Sequence, residues 1–292
     1  MLFTNDPSLT EDYQYSYIRD DAELAPVKAF IEGMWQEAAP FLDREFPREF
    51  RTRFRDRYWE LYLAAAFLHR GYQLVPREAC SKARPDLCLV IHGEQVWVEA
   101  VVPSGGDGLD AVREKRSAGT VPEDRIVLRY RSVLEAKHKR YQEYLLKGVI
   151  SPDERYVVAV SASNIPMELP PMTGEVPHPI QAVFPLGNPC VVMERDTGKV
   201  VEVGFEDRPR IPKRSGEEIS TCTFLEEEYR GISALLFSYV SAWRATSFSP
   251  LALQCVLNPI ATSPLPSGWL KPCKEWWWEN DVLHDKDVLE SN

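Results

Sequence analysis

The chain has 292 residues, of which 44% are apolar, and its formal net charge is −10. This composition excludes a largely disordered chain, and no apolar run approaches the roughly 18 residues of a membrane helix. The acidic start also lacks the basic-then-apolar layout of a signal peptide. We therefore expect a soluble cytoplasmic protein with no membrane contact. The six cysteines form no CxxC pair, which argues against structural zinc.

The elements predicted along the first half of the chain alternate between helix and strand. Residues 1–50 form a helical segment, with amphipathic helices over 22–42 that are interrupted near Pro26 and Pro40. The core, residues 51–165, is predicted to run helix, strand, hairpin, strand, helix, strand, with elements at 52–70, 72–76, 86–102, 125–130, 132–147 and 155–165.

The second half of the chain, residues 166–292, has a different texture. A proline-rich loop is followed by a hairpin that turns at Asp196-Thr197-Gly198, by two apolar strands and by an aromatic tail expected to cap the body. We find no clean linker, so we expect one domain. The predicted fold is α/β, with a central mixed β-sheet flanked by helices and a β-rich C-terminal extension packed on that core.

One acidic residue lies inside the most apolar helix. Glu60 is the only charged residue of "YWELYLAAAFL", 58–68, and a helix that is apolar nearly all round is buried. A buried carboxylate without a partner is costly. Glu60 therefore either pairs with a nearby arginine or faces a functional site.

Two more carboxylates lie in the predicted hairpin "ARPDLCLVIHGEQVWVEAVVP", residues 83–103. Side chains of a strand alternate between its faces, so Trp97, Glu99 and Val101 point to one side. Asp86, at the start of the paired strand, can reach the same side. Together with Glu60 these carboxylates form an all-oxygen set that suits Mg²⁺ or Mn²⁺, and such an ion promotes phosphodiester hydrolysis. A structural salt-bridge cluster is the alternative.

This arrangement resembles the PD-(D/E)XK nuclease superfamily. The matching residues are the helical Glu60, Pro85-Asp86 and, a dozen residues on, Glu99-Ala100-Val101, and the resemblance covers about residues 55–165. It implies a restriction-endonuclease-like core and metal-dependent cleavage of DNA or, less often, RNA. Asp86 and Glu99 would be the principal ligands and Glu60 the helical carboxylate that many members carry.

The chain departs from this family at the usual lysine position, which is Val101. The sequence Glu135-Ala136-Lys137 spells the motif literally, but residues two apart on a helix do not face each other. Lys137 instead lies in the apolar stripe of the 132–147 helix, and migrated lysines of this type occur in the superfamily. We therefore predict that Lys137 is the catalytic lysine; a lysine that reaches solvent along the helix is the alternative.

Basic side chains cluster around this helix although the chain as a whole is acidic. Net charge argues against a general nucleic-acid coat protein but not against an enzyme with charge gathered on one face. Arg129, Arg131, Lys139 and Arg140 are the candidates for nucleic-acid contact. Surface or ion-paired side chains are the alternative for each.

The sequence thus favours a metal-dependent nuclease, and we expect a DNA endonuclease of a microbial defence or repair system. A catalytically inactive protein that keeps the nuclease fold for binding or scaffolding is the first alternative, supported by Val101. A nuclease toxin with an immunity partner is the second. The sequence leaves open a homodimer or a complex with a partner protein.

Overall fold

The computed structural model describes residues 1–5, 10–77, 84–114 and 120–289. The helices are α1 Tyr13–Asp20, α2 Ala25–Ala38, α3 Phe46–Thr52, α4 Phe54–His69, α5 Glu123–Leu146 and α6 His178–Gln181. The strands are β1 Gln73–Leu74, β2 Leu87–Ile91, β3 Glu94–Val101, β4 Arg155–Ser161, β5 Leu186–Met193, β6 Val200–Asp207, β7 Arg210–Pro212, β8 Glu218–Ser220, β9 Ala234–Ser238, β10 Gln254–Leu257, β11 Cys273–Glu279 and β12 Val282–Val288.

Eight of these strands form one mixed sheet, in the order β1-β2-β3-β4-β9-β10-β11-β12. Its centre is parallel, because β3 pairs with β4 and β4 pairs with β9 in the same direction. The carboxyl ends of β3, β4 and β9 therefore meet at one edge of the sheet. Helix α5 makes the crossover from β3 to β4, as parallel neighbours require.

Helices cover both faces of this sheet. Side chains of α2 and α4 pack against one face in a core that includes Val98 and Ala159, and side chains of α5 pack against the other face with Trp97 and Val160. Strand β4 is buried on both faces, which explains its nearly unbroken apolar sequence. The structure is α/β with a large mixed sheet flanked by helices, as the sequence predicts.

The β2–β3 hairpin lies where the sequence places it. Its strands pair with Leu87 opposite Val98, and the turn has positive φ at His92 (52°) and Gly93 (84°). Such a turn matches the twist of the two strands and fixes their register. The position of Asp86 relative to Glu99 follows from this register.

The prediction of a strand at 125–130 followed by a separate helix at 132–147 is wrong. One helix, α5, covers both segments. Its buried residues recur every three or four positions, as at Ile126, Tyr130, Leu134, His138 and Tyr141. A six-residue segment is too short to reveal this helical period. Arg129 and Arg131 therefore lie on a helix.

One further expectation needs correction, and another is confirmed. Pro26 does not interrupt α2 but occupies its first turn, where proline has no hydrogen bond to lose. The aromatic tail packs on the body as expected, through Trp276 and Trp278, and it does so as the β11–β12 hairpin that extends the main sheet. None of the helices in the described ranges has the length and apolar character needed to cross a membrane.

Candidate active site

The candidate site is a pocket of about 360 Å³ at the carboxyl end of β3. Strand β3, the start of β2 and helices α4 and α5 all contribute to it. Its lining residues are Arg53, Asp56, Arg57, Glu60, Asp86, Glu99, Ala100, Val101, Val102 and Lys137. The pocket thus contains all four of the predicted catalytic residues, from three separate parts of the chain.

Asp86 and Glu99 lie side by side in this pocket. The Leu87–Val98 pair puts Asp86 opposite Glu99 at the next step of the hairpin, where side chains point to the same face. Oδ2 of Asp86 accepts a hydrogen bond of 2.8 Å from the backbone N–H of Ala100, which ties the chain before β2 to the end of β3. Glu99 is buried and Asp86 is partly exposed to the pocket.

Lys137 and Tyr144 reach Glu99 from α5. Nζ of Lys137 donates to Oε1 of Glu99 at 3.0 Å, and the hydroxyl of Tyr144 donates to Oε2 at 3.1 Å. Seven residues are close to two helical turns, so both side chains leave the same face of α5. Lys137 therefore points into the site, and the side chain at the usual lysine position, Val101, lines the same pocket.

Glu60 enters the pocket from α4, on the opposite side of the sheet from α5. It is only 4% exposed, and its carboxylate pairs with Arg57 one turn earlier on the same helix. Arg57 also pairs with Asp43 and Glu49. The arginine partner that the sequence left open is therefore present, and Glu60 has both a structural contact and a place in the site.

The three carboxyl groups are hard to ionise together. Burial raises the pKa of Glu60, Asp86 and Glu99, and the charge of Asp86 raises the pKa of Glu60 and Glu99 further. Lys137 acts in the opposite direction on Asp86 and Glu99, and Arg57 does so on Glu60. The net shift is upward for each, and burial is its largest cause. Four acidic and three basic side chains line the pocket, so its acids outnumber its cations.

The oxygen donors of this pocket are chemically suited to a hard divalent ion, but few of them are free to bind one. Asp86 and Glu99 supply carboxylate oxygens on one face, and a cation would relieve their repulsion. Among the residues that the structure describes, however, no group of three or more Asp, Glu, His or Cys side chains is arranged to hold a metal ion. Asp86 and Glu99 could supply two carboxylate ligands, with water as the remaining ligands, whereas the carboxylate of Glu60 is paired with Arg57.

Glu135 and Lys137, which spell the family motif literally, point to different sides of α5, as the helical geometry requires. Glu135 pairs with Lys139 at 2.6 Å on the exposed side of α5, whereas Lys137 faces Glu99. Lys139 is thus neutralised, and Arg140 is similarly paired with Glu143 at 2.8 Å. Both predicted nucleic-acid contacts lie on the surface with acidic partners.

The other two predicted nucleic-acid contacts are engaged with the protein. Nε of Arg129 donates to the carbonyl oxygen of Ser104 at 2.9 Å. The guanidinium of Arg131 bonds the hydroxyl of Thr223 and lies over the ring of Tyr229. Arg129 therefore supports the loop after β3, and Arg131 fastens α5 to the 3₁₀ turns near residue 224.

A larger cavity, of about 660 Å³, lies at the ends of β4 and β9. Its buried acid is Glu168, whose side chain is 0% exposed. That carboxylate accepts hydrogen bonds from Nδ1 of His178 at 2.8 Å and from the hydroxyl of Tyr130 at 3.2 Å. Glu168 has no second acid beside it in this lining, so the smaller pocket, with its several acids, remains the candidate active site.

Tyr144 and Arg57 are site residues to which the sequence interpretation gave no role. Both are detectable in hindsight, because Tyr144 follows Lys137 by seven residues and Arg57 precedes Glu60 by three on one helix face. The Ala100 N–H that binds Asp86 leaves no trace in the sequence. Comparison of the chain with protein-family models, with curated proteins and with solved structures gave no match.

Proposed function

We propose that the protein is a metal-dependent nuclease with a restriction-endonuclease-like core, related to the PD-(D/E)XK superfamily. The observation that carries this proposal is the meeting of Asp86, Glu99 and Lys137 in one pocket at the end of β3. Two neighbouring buried carboxylates with raised pKa values, next to a lysine directed at Glu99, are suited to phosphodiester hydrolysis.

Asp86 and Glu99 are the groups that would hold Mg²⁺ or Mn²⁺. When bound, such an ion polarises a phosphoryl oxygen and lowers the pKa of a water molecule. The two side chains are kept in place by the Ala100 N–H and the Tyr144 hydroxyl, so they need no rearrangement before substrate arrives. Their raised pKa values mean that ion binding and loss of protons are linked.

Lys137 takes the part of the lysine that the family places two residues after the glutamate. Its ammonium group lies 3.0 Å from Glu99, where it donates hydrogen bonds to negative charge that develops on the phosphoryl oxygens. In the reaction a water molecule attacks phosphorus and one ester P–O bond breaks. Val101 leaves the end of β3 free for a lysine that comes from α5 instead.

DNA is the proposed substrate, ahead of RNA, on the family resemblance alone. The experiment is a cleavage assay on plasmid DNA and on single-stranded RNA with Mg²⁺, Mn²⁺ or EDTA. We expect cleavage only with a divalent ion, and its loss in Asp86→Asn. Cleavage in EDTA, or full activity of Asp86→Asn, would contradict the proposal.

One observation favours a second candidate, a nuclease fold without activity that binds or scaffolds nucleic acid. Both oxygens of Glu99 are already hydrogen-bonded, to Lys137 and Tyr144, so the site is closed as a salt-bridge cluster. Titration calorimetry with Mn²⁺ separates the two candidates. Heat of binding that disappears in Asp86→Asn favours the nuclease, and no uptake at millimolar Mn²⁺ favours the scaffold.

A further inference from the structure

A second pocket, of about 350 Å³, gathers three arginines. It lies between the loop after β3, the first turn of α5 and the turn that joins β7 to β8. Its lining residues are Gly108, Leu109, Ala111, Arg113, Arg125 and Arg214. The charged side chains that line it are therefore all positive.

Backbone contacts hold the parts of this basic pocket together. The guanidinium of Arg125 donates to the carbonyl oxygen of Ala111 at 3.0 Å. The backbone N–H of Arg214 donates to Oδ1 of Asp110 at 2.9 Å, which ties the β7–β8 turn to the same loop. Three segments that are distant in sequence are thus fixed around one cavity.

The charge of this pocket is not neutralised from within. In the described ranges, no ion pair is formed by Arg113, Arg125 or Arg214. The basic residues just outside it differ, since Arg208 pairs with Asp124 and Lys213 pairs with Glu217. The acids nearest to Arg125 and Arg214 have other partners: Asp124 pairs with Arg208, Asp110 accepts the backbone N–H of Arg214, and Glu123 accepts from Asn188. Three guanidinium groups around one cavity, without an ion pair among the described residues, repel one another, and an anion with several oxygens relieves that repulsion. A phosphate group has the required charge and acceptors.

The basic pocket lies within reach of the candidate active site. Gly108, in the basic pocket, comes six positions after Val102, in the acidic one, so their Cα atoms are at most about 22 Å apart. Along α5, Arg125 and Lys137 are twelve residues apart, which corresponds to about 18 Å. Phosphates follow one another every 3.4 Å along the axis of a duplex strand, so 18 Å spans about five nucleotides.

We propose that Arg113, Arg125 and Arg214 bind a backbone phosphate of the nucleic-acid substrate about five nucleotides from the bond that is cut. This inference rests on the proposed function, which supplies the cut bond. The pocket contributes affinity and position but no base specificity, because a phosphate is the same in every sequence.

The first test is DNA binding by Arg113→Ala/Arg214→Ala, measured by fluorescence anisotropy on a labelled duplex in EDTA across a salt series. Both side chains are exposed, so we expect the fold to be retained, and a melting curve verifies this. We expect the double variant to bind the duplex at least about tenfold more weakly than the wild type. In a plot of log affinity against log salt concentration, its slope should be smaller in magnitude by about one.

The matched control is Arg195→Ala/Lys199→Ala, which removes two positive charges from the exposed β5–β6 turn. We expect it to bind as the wild type does. If the two double variants bind equally well, or if the wild type does not bind the duplex, the inference is wrong. A site that takes inorganic phosphate, detected by calorimetry, without any effect of Arg113→Ala/Arg214→Ala on DNA binding also overturns it.

The second test addresses the distance. On duplexes that extend about eight base pairs beyond the cut on both sides, we expect kcat/KM to fall about tenfold in Arg113→Ala/Arg214→Ala. On duplexes that end about three base pairs from the cut, the variant and the wild type should be equal, because no phosphate reaches the pocket. An equal loss of kcat/KM in the variant on long and short duplexes would contradict the proposed distance between the basic pocket and the cut bond.

The two proposals fail in different ways. A wild-type protein that binds DNA through these arginines but never cuts it with Mg²⁺ or Mn²⁺ contradicts the nuclease and supports the phosphate site. A wild-type protein that cuts DNA while Arg113→Ala/Arg214→Ala behaves like its control supports the nuclease and contradicts the phosphate site.

Discussion

Two buried carboxylates, Glu99 and Glu168, lie near the same edge of the sheet and differ in what surrounds them. Each accepts two hydrogen bonds, Glu99 from Lys137 and Tyr144 and Glu168 from His178 and Tyr130. Hydrogen bonding alone therefore does not distinguish a reactive acid from a structural one. The difference is that Glu99 has further acids beside it, whereas Glu168 lies in a lining with no second acid.

The surplus of acids makes these two regions respond differently to the same kind of substitution. In the acidic pocket, removing one charge relieves repulsion and removes a proposed ion ligand. Around Glu168, removing the charge leaves buried donors without an acceptor. Loss of activity is expected from the first and loss of stability from the second.

The largest effect is expected from Asp86→Asn and Glu99→Gln. Each should lower metal-dependent cleavage by about a thousandfold or more, because an ion ligand is lost while the shape of the pocket is kept. Initial rates on plasmid DNA at saturating Mg²⁺ measure this. Glu135→Gln, an exposed acid on α5, is the control and should keep wild-type activity.

The next effect is expected from Lys137→Met. Cleavage should fall by about a hundredfold, since a positioned cation is lost, while Mn²⁺ still binds to Asp86 and Glu99. The assay combines cleavage rates with Mn²⁺ calorimetry. Lys147→Met, at the exposed C-terminal end of the same helix, should have little effect. Equal rates in the two variants would show that Lys137 has no catalytic part.

Glu168→Ala tests the other side of the comparison. We expect the free energy of unfolding to fall by about 3 kcal/mol, because the buried partners of Glu168 lose their acceptor. Urea denaturation measures it, and Asp86→Asn in the same experiment without metal should change the value by less than about 1 kcal/mol. A larger loss in Asp86→Asn than in Glu168→Ala would reverse the assignment of the two regions.

The smallest effect concerns pH. Because the pKa of Asp86 and of Glu99 is raised in the folded state, their contribution to stability without metal is complete below about pH 4 and declines as pH rises through those raised values. Divalent ions displace these protons, so Mn²⁺ should raise the melting temperature more at about pH 8 than at about pH 6. Calorimetric melting curves test this, and Asp86→Asn/Glu99→Gln should show no such difference.

Much of the fold follows from local rules in the sequence. The hairpin was predictable because strand alternation and the His92-Gly93 turn fix one register, and α4 was predictable from its length and from Gly71 at its end. The prediction of a strand at 125–130 was wrong because a short apolar segment fits both the two-residue period of a strand and the 3.6-residue period of a helix. Only the full 24 residues of α5 reveal the helical one.

The acidic pocket was predictable in part for the same reason. Asp86 and Glu99 belong to one hairpin, so their proximity is a local property. The basic pocket was not, because Arg214 comes from a turn about a hundred residues after Arg113 and only the tertiary fold brings them together. Charge counts along the sequence select Arg129 and Arg131 instead, and both of these hold the protein's own backbone or hydroxyl groups.

Helix α5 contains neither proline nor glycine over its 24 residues and is thus a single rod of about 36 Å. It carries Arg125 near one end and Lys137 beyond its middle, so the interval between them is fixed by the helical rise. A polyanion that contacts both Arg125 and Lys137 must have negative charges at this spacing or bend until it does. Selection by shape would then precede any chemistry.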